Sequence, residues 1–176
     1  MRGDAKKTWP VEERTTLGSG AISTFVNEVV LTPAGTKMNR QFLTHPGAVA
    51  VVALGKAGSR EMTAGSDLDL MTLYDAPAGA ASTIKDWSAD VFYVRFTQRL
   101  ISALSAHTAE GGLYEVDMRL RPSGSKGPVA VSLTGFHRYH AEEAWTWERI
   151  ALTRARVVAA PPGCRSKVEA ATRGAL

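Results

Sequence analysis

Apolar and polar positions alternate or recur along the chain in patterns that predict strands first and a helix afterwards. Residues 48–54 (AVAVVAL) form a continuous valine-rich apolar run, which fits a buried strand better than a helix. Residues 66–74 predict a second strand, in which Asp67 and Asp69 share one face because side chains alternate along a strand. The intervening residues 55–59 (GKAGS) predict a tight turn.

Helical spacing follows a loop at residues 75–83. Residues 86–107 predict a helix that Asp86 or Ser88 can cap. Its predicted apolar stripe comprises Val91, Val94, Ile101 and Leu104, widened by Phe92, Phe96 and Leu100.

Alternation returns in residues 113–120 (LYEVDMRL), which predict a strand with one buried and one charged face. The charged positions on and just after that strand are Glu115, Asp117, Arg119 and Arg121. Residues 128–133 predict a further strand. Residues 135–159 predict one long helix that begins after Thr134 and ends before Pro161.

The two ends of the chain carry weaker patterns. Residues 1–46 contain scattered proline and glycine, and residues 22–31 fit either a strand or a helix. No structure is predicted for the short, polar tail from Cys164 onward. We therefore expect a weakly patterned arm over 1–46, an α/β domain over 47–160 and a short tail over 161–176.

Composition limits the class of protein. The chain has 176 residues, 44% of them apolar and 22% charged, which is ordinary for a globular domain with a core. Its single cysteine, Cys164, excludes an internal disulfide and leads us to expect a cytoplasmic protein. No apolar run is long enough to cross a membrane, and the first residues do not form a secretion signal. The net charge of +4 fits an anionic ligand such as a nucleotide.

Three aspartates form a candidate metal site. Asp67 and Asp69 share a strand face, and Asp117 lies on a later strand; if the two strands are neighbours, the three carboxylates converge. Repulsion between three such charges is relieved by a divalent cation, and carboxylate oxygens are what Mg²⁺ prefers. Two such ions would activate an attacking hydroxyl and stabilise a leaving pyrophosphate. The alternative is that Asp117 forms an ion network with Arg119 or Arg121.

The turn at residues 55–59 is a candidate phosphate-binding element. Gly55 and Gly58 let the backbone approach a phosphate closely, and Ser59 adds a hydroxyl donor. The lysine follows the first glycine directly, so the segment is not a Walker A loop. Its spacing to Asp67 and Asp69 is what makes it informative.

Three stretches together resemble a known family. They are GKAGSREMTAGSDLDL (55–70), LYEVDMRLRPSG (113–124) and EAWTWERIALTRARVV (143–158). A Gly-Ser pair followed by Asp-x-Asp and a later Asp is typical of nucleotidyltransferases of the DNA polymerase β type. The longer stretches are similar to glutamine-synthetase adenylyltransferase, and to the half of that bacterial enzyme that attaches AMP rather than the half that removes it.

The resemblance implies an α/β nucleotidyltransferase fold, with a small mixed sheet and flanking helices. It implies Asp67, Asp69 and Asp117 as catalytic and metal-binding residues. It implies that ATP and Mg²⁺ are bound, with Gly55, Gly58 and Ser59 near the phosphates. For Arg119 and Arg121 it leaves two roles open: contact with phosphate, or organisation of Asp117.

The implied reaction is transfer of AMP from ATP to a tyrosine hydroxyl of glutamine synthetase, with a PII-type signalling protein as a further partner of full-length enzymes. The alternatives are phosphorolytic removal of AMP and a non-catalytic module that keeps the fold. A nucleic-acid binder has only the mild positive charge in its favour, so neither nucleic acid nor membrane is an expected partner. Because family members carry a second such domain, we expect a domain of a longer protein or a truncated paralogue.

Other candidate residues are expected to be structural. His137 and His140 lack the further ligands of a zinc site and are expected at the surface. Trp145 and Trp147 are expected to pack rather than to stack on an adenine ring. For Glu148, Arg154 and Arg156, a polar network that braces the site and direct contact with the ligand are equally compatible with the sequence.

Overall fold

The computed structural model describes residues 11–19, 24–31, 34–44, 47–81, 87–107, 109, 111–112 and 114–176. Within these ranges the chain forms two sheets and five α-helices. In chain order the elements are β1 (Val11–Ser19), β2 (Thr24–Leu31), β3 (Lys37–Thr44), β4 (Ala48–Ala53), α1 (Gly55–Ser59), β5 (Leu68–Asp75), α2 (Ala89–Leu104), β6 (Val116–Asp117), β7 (Ala130–Ser132), α3 (Leu133–Glu142), α4 (Thr146–Leu152), β8 (Arg156–Ala159) and α5 (Pro162–Gly174).

The first three strands form an antiparallel sheet in the order β1-β2-β3. Thr24 pairs with Thr44 and Leu31 with Lys37, so β2 and β3 run against each other along their whole length. The described part of the expected weakly patterned arm (1–46) is therefore made of strands, and the domain boundaries stay a prediction. The sequence left strand and helix open for residues 22–31, and the described part of this range forms a strand, Thr24–Leu31. Residues 1–10, 20–23, 32–33 and 45–46 lie outside the described residues.

The second sheet has five strands and is mixed. Its strand order is β6-β5-β4-β8. Strand β7 also pairs with β5, at Thr72–Tyr74, whereas β6 pairs with Leu68 and Asp69. The central strand β4 is antiparallel to β5 and β8, whereas β5 is parallel to β6 and β7. This confirms the α/β class with a small mixed sheet and flanking helices, and the strands predicted at 48–54 and 66–74.

One face of this sheet carries the largest core. Every second residue of β4 and β5 points to this face, and three helices (α3, α4 and α5) cover it. The cluster includes Ala50, Val52, Leu54, Met71, Leu73, Phe136, Leu152, Val168 and Ala171, all of them buried. Asp69 lies two residues before Met71 on β5 and therefore points to the same face of the sheet.

The opposite face is covered by α2 and α1. Leu70 and Ala53 pack there with Ala57, and Tyr74 stacks on Tyr93 of α2 with ring centroids 4.5 Å apart. The predicted stripe of α2 was partly wrong. The fully buried positions of this helix are Tyr93 and Thr97, whereas the exposed fractions are 38% for Val91, 40% for Phe96 and 41% for Leu104.

Two further predictions fail in the C-terminal half. The predicted strand 113–120 shrinks to Val116–Asp117, and its first residue lies outside the described ones. The predicted helix 135–159 divides into α3, α4 and strand β8. Ser132, rather than Thr134, caps α3 by accepting a hydrogen bond from the Gly135 N–H at 3.0 Å.

The segment after Pro161 forms α5, where no structure was expected. Its small or apolar side chains at Cys164, Val168, Ala171 and Ala175 recur at helical spacing and are buried against β4 and β8. Pro162 occupies the first turn, where proline is favoured because its missing N–H would have no helical partner. The proline pair therefore begins a helix as well as ending the element before it.

Candidate active site

The register between β5 and β6 brings the three aspartates to one place. In this parallel pair, Leu68 lies opposite Val116 and Asp69 lies opposite Asp117. Asp67 precedes the strand by one residue, on the same side as Asp69 and exposed. The strand pairing that the prediction required is thus present, and it places Asp69 and Asp117 at neighbouring positions.

The electrostatics of Asp69 reflect that convergence. Partial burial raises the pKa of its carboxyl group, and the negative charges of Asp117 and then Asp67 raise it further. The positive charge of Arg119 lowers the pKa of Asp69. Asp117 and Asp67 are therefore both near enough to Asp69 to disfavour its ionised form, and a cation beside Asp69 would relieve that repulsion.

Asp117 is engaged by Arg119, the residue two positions later. The Arg119 backbone N–H donates to Asp117 Oδ1 at 2.7 Å, while Nε and Nη2 donate to Oδ2 at 2.8 and 2.5 Å. These hydrogen bonds are the main reason why the pKa of Asp117 lies below its usual value. Among the described residues, no group of three histidine, cysteine or acidic side chains is arranged so that it could hold a metal ion. Carboxylates are nevertheless the type of ligand that a hard divalent cation takes, and in the described arrangement Arg119 engages both carboxylate oxygens of Asp117.

Replacing Arg119 by glutamine is expected to raise the pKa of Asp117 from its lowered value, because the charge-assisted bonds are lost. Because the pKa of Asp117 is lowered in the folded state, its contribution to the free energy of unfolding depends on pH. The lowered pKa contributes stability above pH 3.8 that is lost as pH falls through the folded-state pKa, so the variant loses this contribution. Carboxyl NMR titration measures it, with Arg99→Gln on α2 as the control. An unchanged Asp117 titration would contradict the described pairing.

The predicted turn at residues 55–59 is a single helical turn, α1. Gly55 has a φ of +49°, and a Cβ there would lie against the carboxylate of Asp69, with Asp69 Cγ at 3.2 Å. Glycine at this position therefore lets the end of β4 approach Asp69. The predicted phosphate contact of Gly55 stays a prediction.

Gly58 packs against the chain before β8. A Cβ at Gly58 would overlap the carbonyl oxygen of Arg154 and lie 2.8 Å from the carbonyl oxygen of Ala53. The glycine thus has a packing reason in addition to the phosphate role implied by the resemblance. The hydroxyl of Ser59 lies 2.8 Å from Glu61 Oε2 and 3.2 Å from the Gly55 carbonyl oxygen, so its described partners are local.

Arg121 is buried and its guanidinium is fully occupied by the backbone. It donates to the carbonyl oxygens of Pro128 at 3.0 Å and Gly127 at 3.1 Å, and to that of Met118. Burial lowers the pKa of this group, and the nearby Asp117 raises it. These contacts brace the segment that follows Asp117, and the two roles left open for Arg121, contact with phosphate and organisation of Asp117, stay predictions.

The segment after residue 143 contributes two bracing side chains. Glu148 accepts hydrogen bonds from the Tyr139 hydroxyl at 2.7 Å and from the Trp145 N–H at 2.8 Å, which links α4 to α3. Arg156 donates to the carbonyl oxygens of Ala57 at 2.7 Å and Gly58 at 3.0 Å. The sequence left the roles of Glu148 and Arg156 open, and their described contacts are those of bracing residues.

Several expectations about individual side chains are corrected by the structure. Trp145 and Trp147 do not pack: they are 70% and 55% exposed. His140 is buried beside Phe136, with ring centroids 4.3 Å apart, whereas His137 is exposed as expected. The aromatic character of these positions was visible in the sequence, but their exposure was not.

Comparison with known proteins decides the family. The family model described as glutamate-ammonia ligase adenylyltransferase matches residues 17–171. The chain belongs to this family. The match includes the three aspartates, α1 and the segment of Arg156, so all the geometry above lies within the adenylyltransferase family region.

Curated relatives agree with this assignment. The chain is similar to proteins named bifunctional glutamine synthetase adenylyltransferase/adenylyl-removing enzyme. Identity is 66% over 134 residues for Caulobacter vibrioides, 52% over 132 for Mesorhizobium japonicum and 51% over 140 for Agrobacterium fabrum. These matches cover 74%, 74% and 78% of this chain but only 14%, 13% and 14% of the relatives. The family resemblance read from the sequence is confirmed. In the described part of the chain, no helix has the length and apolar character needed to span a membrane.

Proposed function

We propose that this adenylyltransferase-family chain transfers AMP from ATP to a tyrosine hydroxyl of glutamine synthetase. The observation that carries the proposal is the pairing of Asp69 with Asp117 across β5 and β6, with Asp67 beside them. Family membership supports it, because the relatives' names include glutamine synthetase adenylyltransferase.

Each acidic residue has a part in this proposal. Asp67, Asp69 and Asp117 would hold Mg²⁺, which when bound would neutralise charge on the phosphates. Arg119 keeps Asp117 ionised, because its hydrogen bonds hold the pKa of that carboxyl low. An ionised carboxylate can both bind a cation and accept a proton.

The reaction exchanges one bond to phosphorus for another. The tyrosine oxygen forms a bond to the α-phosphorus of ATP, and the bond from that phosphorus to the oxygen bridging to the β-phosphate breaks. Asp117 accepts the phenolic proton, and pyrophosphate leaves with the electrons of the broken bond. Positioning of the reactants supplies most of the rate enhancement in transfers of this type. In this scheme α1 approaches the phosphates through Gly55, Gly58 and Ser59.

The direct test is incubation of the chain with labelled ATP, Mg²⁺ and glutamine synthetase, followed by detection of labelled AMP on a tyrosine peptide. The expected result is label on tyrosine and release of pyrophosphate. A second arm supplies inorganic phosphate and adenylylated glutamine synthetase. If ADP forms there and no AMP is transferred in the first arm, the chain performs the reverse reaction and the proposal fails.

The proposal also sets expectations for partners and compartment. An ATP-dependent reaction on glutamine synthetase is expected in the cytoplasm. A PII-type signalling protein is expected to bind longer enzymes of this family. Titration of such a protein into the parent chain, with AMP transfer as the readout, tests whether this segment alone responds.

A further inference from the structure

The five-residue helix α1 lies against the first residues of β8. The antiparallel register places Arg156 opposite Ala53, two residues before α1 begins at Gly55. From there the half-buried Arg156 side chain reaches the carbonyl oxygens of Ala57 and Gly58, at 2.7 and 3.0 Å. Two separate nitrogens, Nη2 and Nε, make these bonds.

A helix this short needs external partners. The last carbonyl groups of any helix have no partner within it, and one turn is not stable by itself in water. The carbonyl of Lys56 is satisfied by the Glu61 N–H at 2.9 Å. Those of Ala57 and Gly58 are satisfied by Arg156, whose positive charge is also favourable at a helix C-terminus. The planar guanidinium can serve two carbonyls at once, which an ammonium group does less well.

Close packing at both ends of α1 limits its movement. Gly58 touches the Arg154 backbone so closely that no Cβ would fit between them. Gly55, at the other end, lies against the carboxylate of Asp69. Any shift of α1 away from Arg156 would therefore change the surroundings of Asp69.

We propose that Arg156 is a positioning residue that fixes α1 against Asp69 through the Ala57 and Gly58 carbonyl groups. The described hydrogen bonds of Arg156 reach none of the three aspartates. In this proposal Arg156 does not contact the nucleotide either. Its importance for catalysis rests on the proposed AMP transfer, whereas its hold on α1 can be measured without any reaction.

The test compares Arg156→Gln with Arg165→Gln. Arg165 of α5 donates to the carbonyl oxygen of Val157 at 2.7 Å, so the control also removes an arginine–carbonyl bond at β8, but away from α1. Hydrogen exchange at the backbone amides of residues 58–61 is the primary readout. We expect exchange to be at least about tenfold faster in Arg156→Gln, since bonds from a charged donor are the stronger ones. In Arg165→Gln it should match the parent.

Kinetics provide the second readout. Arg156→Gln is expected to raise KM for ATP several-fold with KM for glutamine synthetase unchanged, and Arg156→Lys should lie between the variant and the parent. Equal exchange at residues 58–61 in both glutamine variants, or no change in either, would overturn the proposal. If the parent chain transfers no AMP, the proposed function fails, and the exchange comparison still decides whether Arg156 holds α1.

Discussion

Replacing Asp69 by asparagine is expected to abolish AMP transfer and, at neutral pH, to leave the fold at least as stable as the parent's. Activity should fall because, in the proposed mechanism, a ligand of Mg²⁺ and its negative charge are lost. Charge stabilisation by such an ion is worth several kcal/mol, which corresponds to about a thousandfold or more in rate. Stability should not fall, because the Asp69 carboxylate is partly buried and faces two other acids.

The pH dependence of that stability follows from the raised pKa of Asp69. In the parent, the raised pKa favours the folded state when Asp69 is protonated, below pH 3.8. This advantage is lost as pH rises through the folded-state pKa. The ionised carboxylate then carries the penalty that asparagine lacks. The gain in free energy of unfolding from Asp69→Asn should therefore be present at neutral pH and shrink in acid.

Urea unfolding at several pH values and transfer of labelled AMP measure the two effects. Asp90→Asn, in the first turn of α2, is the matched control, and its AMP transfer should equal that of the parent. An Asp69→Asn variant that transfers AMP at the parent's rate would remove the metal-binding assignment. A variant that is clearly less stable at neutral pH would contradict the repulsion described between the three acids.

Replacing Gly58 by alanine is expected to destabilise the fold by about 1–3 kcal/mol or more, the usual cost of forcing an extra methyl group into a packed region. The new Cβ would overlap the Arg154 carbonyl oxygen and crowd that of Ala53 at 2.8 Å. Helix propensity predicts the opposite sign, since alanine is favoured over glycine by about 1 kcal/mol within a helix. The sign of the change in free energy of unfolding therefore decides between tertiary packing and local preference.

Thermal and urea unfolding measure this difference. The control is Gly65→Ala, because no atom lies within 4 Å of a Cβ at that position. We expect its stability to be unchanged or slightly higher, since alanine restricts the unfolded chain. If Gly58→Ala is as stable as this control, α1 does not pack on the Arg154 backbone as described.

Local sequence patterns predicted some elements well and misplaced others for identifiable reasons. The apolar run of β4 and the alternation at Asp67 and Asp69 are short-range signals of strands, and both strands formed. The predicted long helix failed because Glu148 starts a new helix by accepting the Trp145 N–H, and because β8 pairs with β4. Helix propensity in a window of residues contains no information about such a pairing partner.

Other errors came from signals that were readable but interpreted in only one sense. The proline pair at 161–162 predicts the end of the preceding element, although proline is also favoured in the first turn of a helix. Cys164, Val168 and Ala171 follow it at helical spacing. Their small size made the stripe weak as an apolar pattern, yet all three are buried.

Strand alternation predicts a shared face for Asp67 and Asp69 without any knowledge of the rest of the fold, so these candidate carboxylates could be recognised from the sequence. The sequence also determined the family, through long matched stretches around those residues. Only strand pairing places Asp117 opposite Asp69 and brings Arg156 to the carbonyl groups of α1. The bonds from Arg156 join residues 98 and 99 positions apart. Contacts at that separation depend on which strands pair, and local periodicity does not encode the pairing.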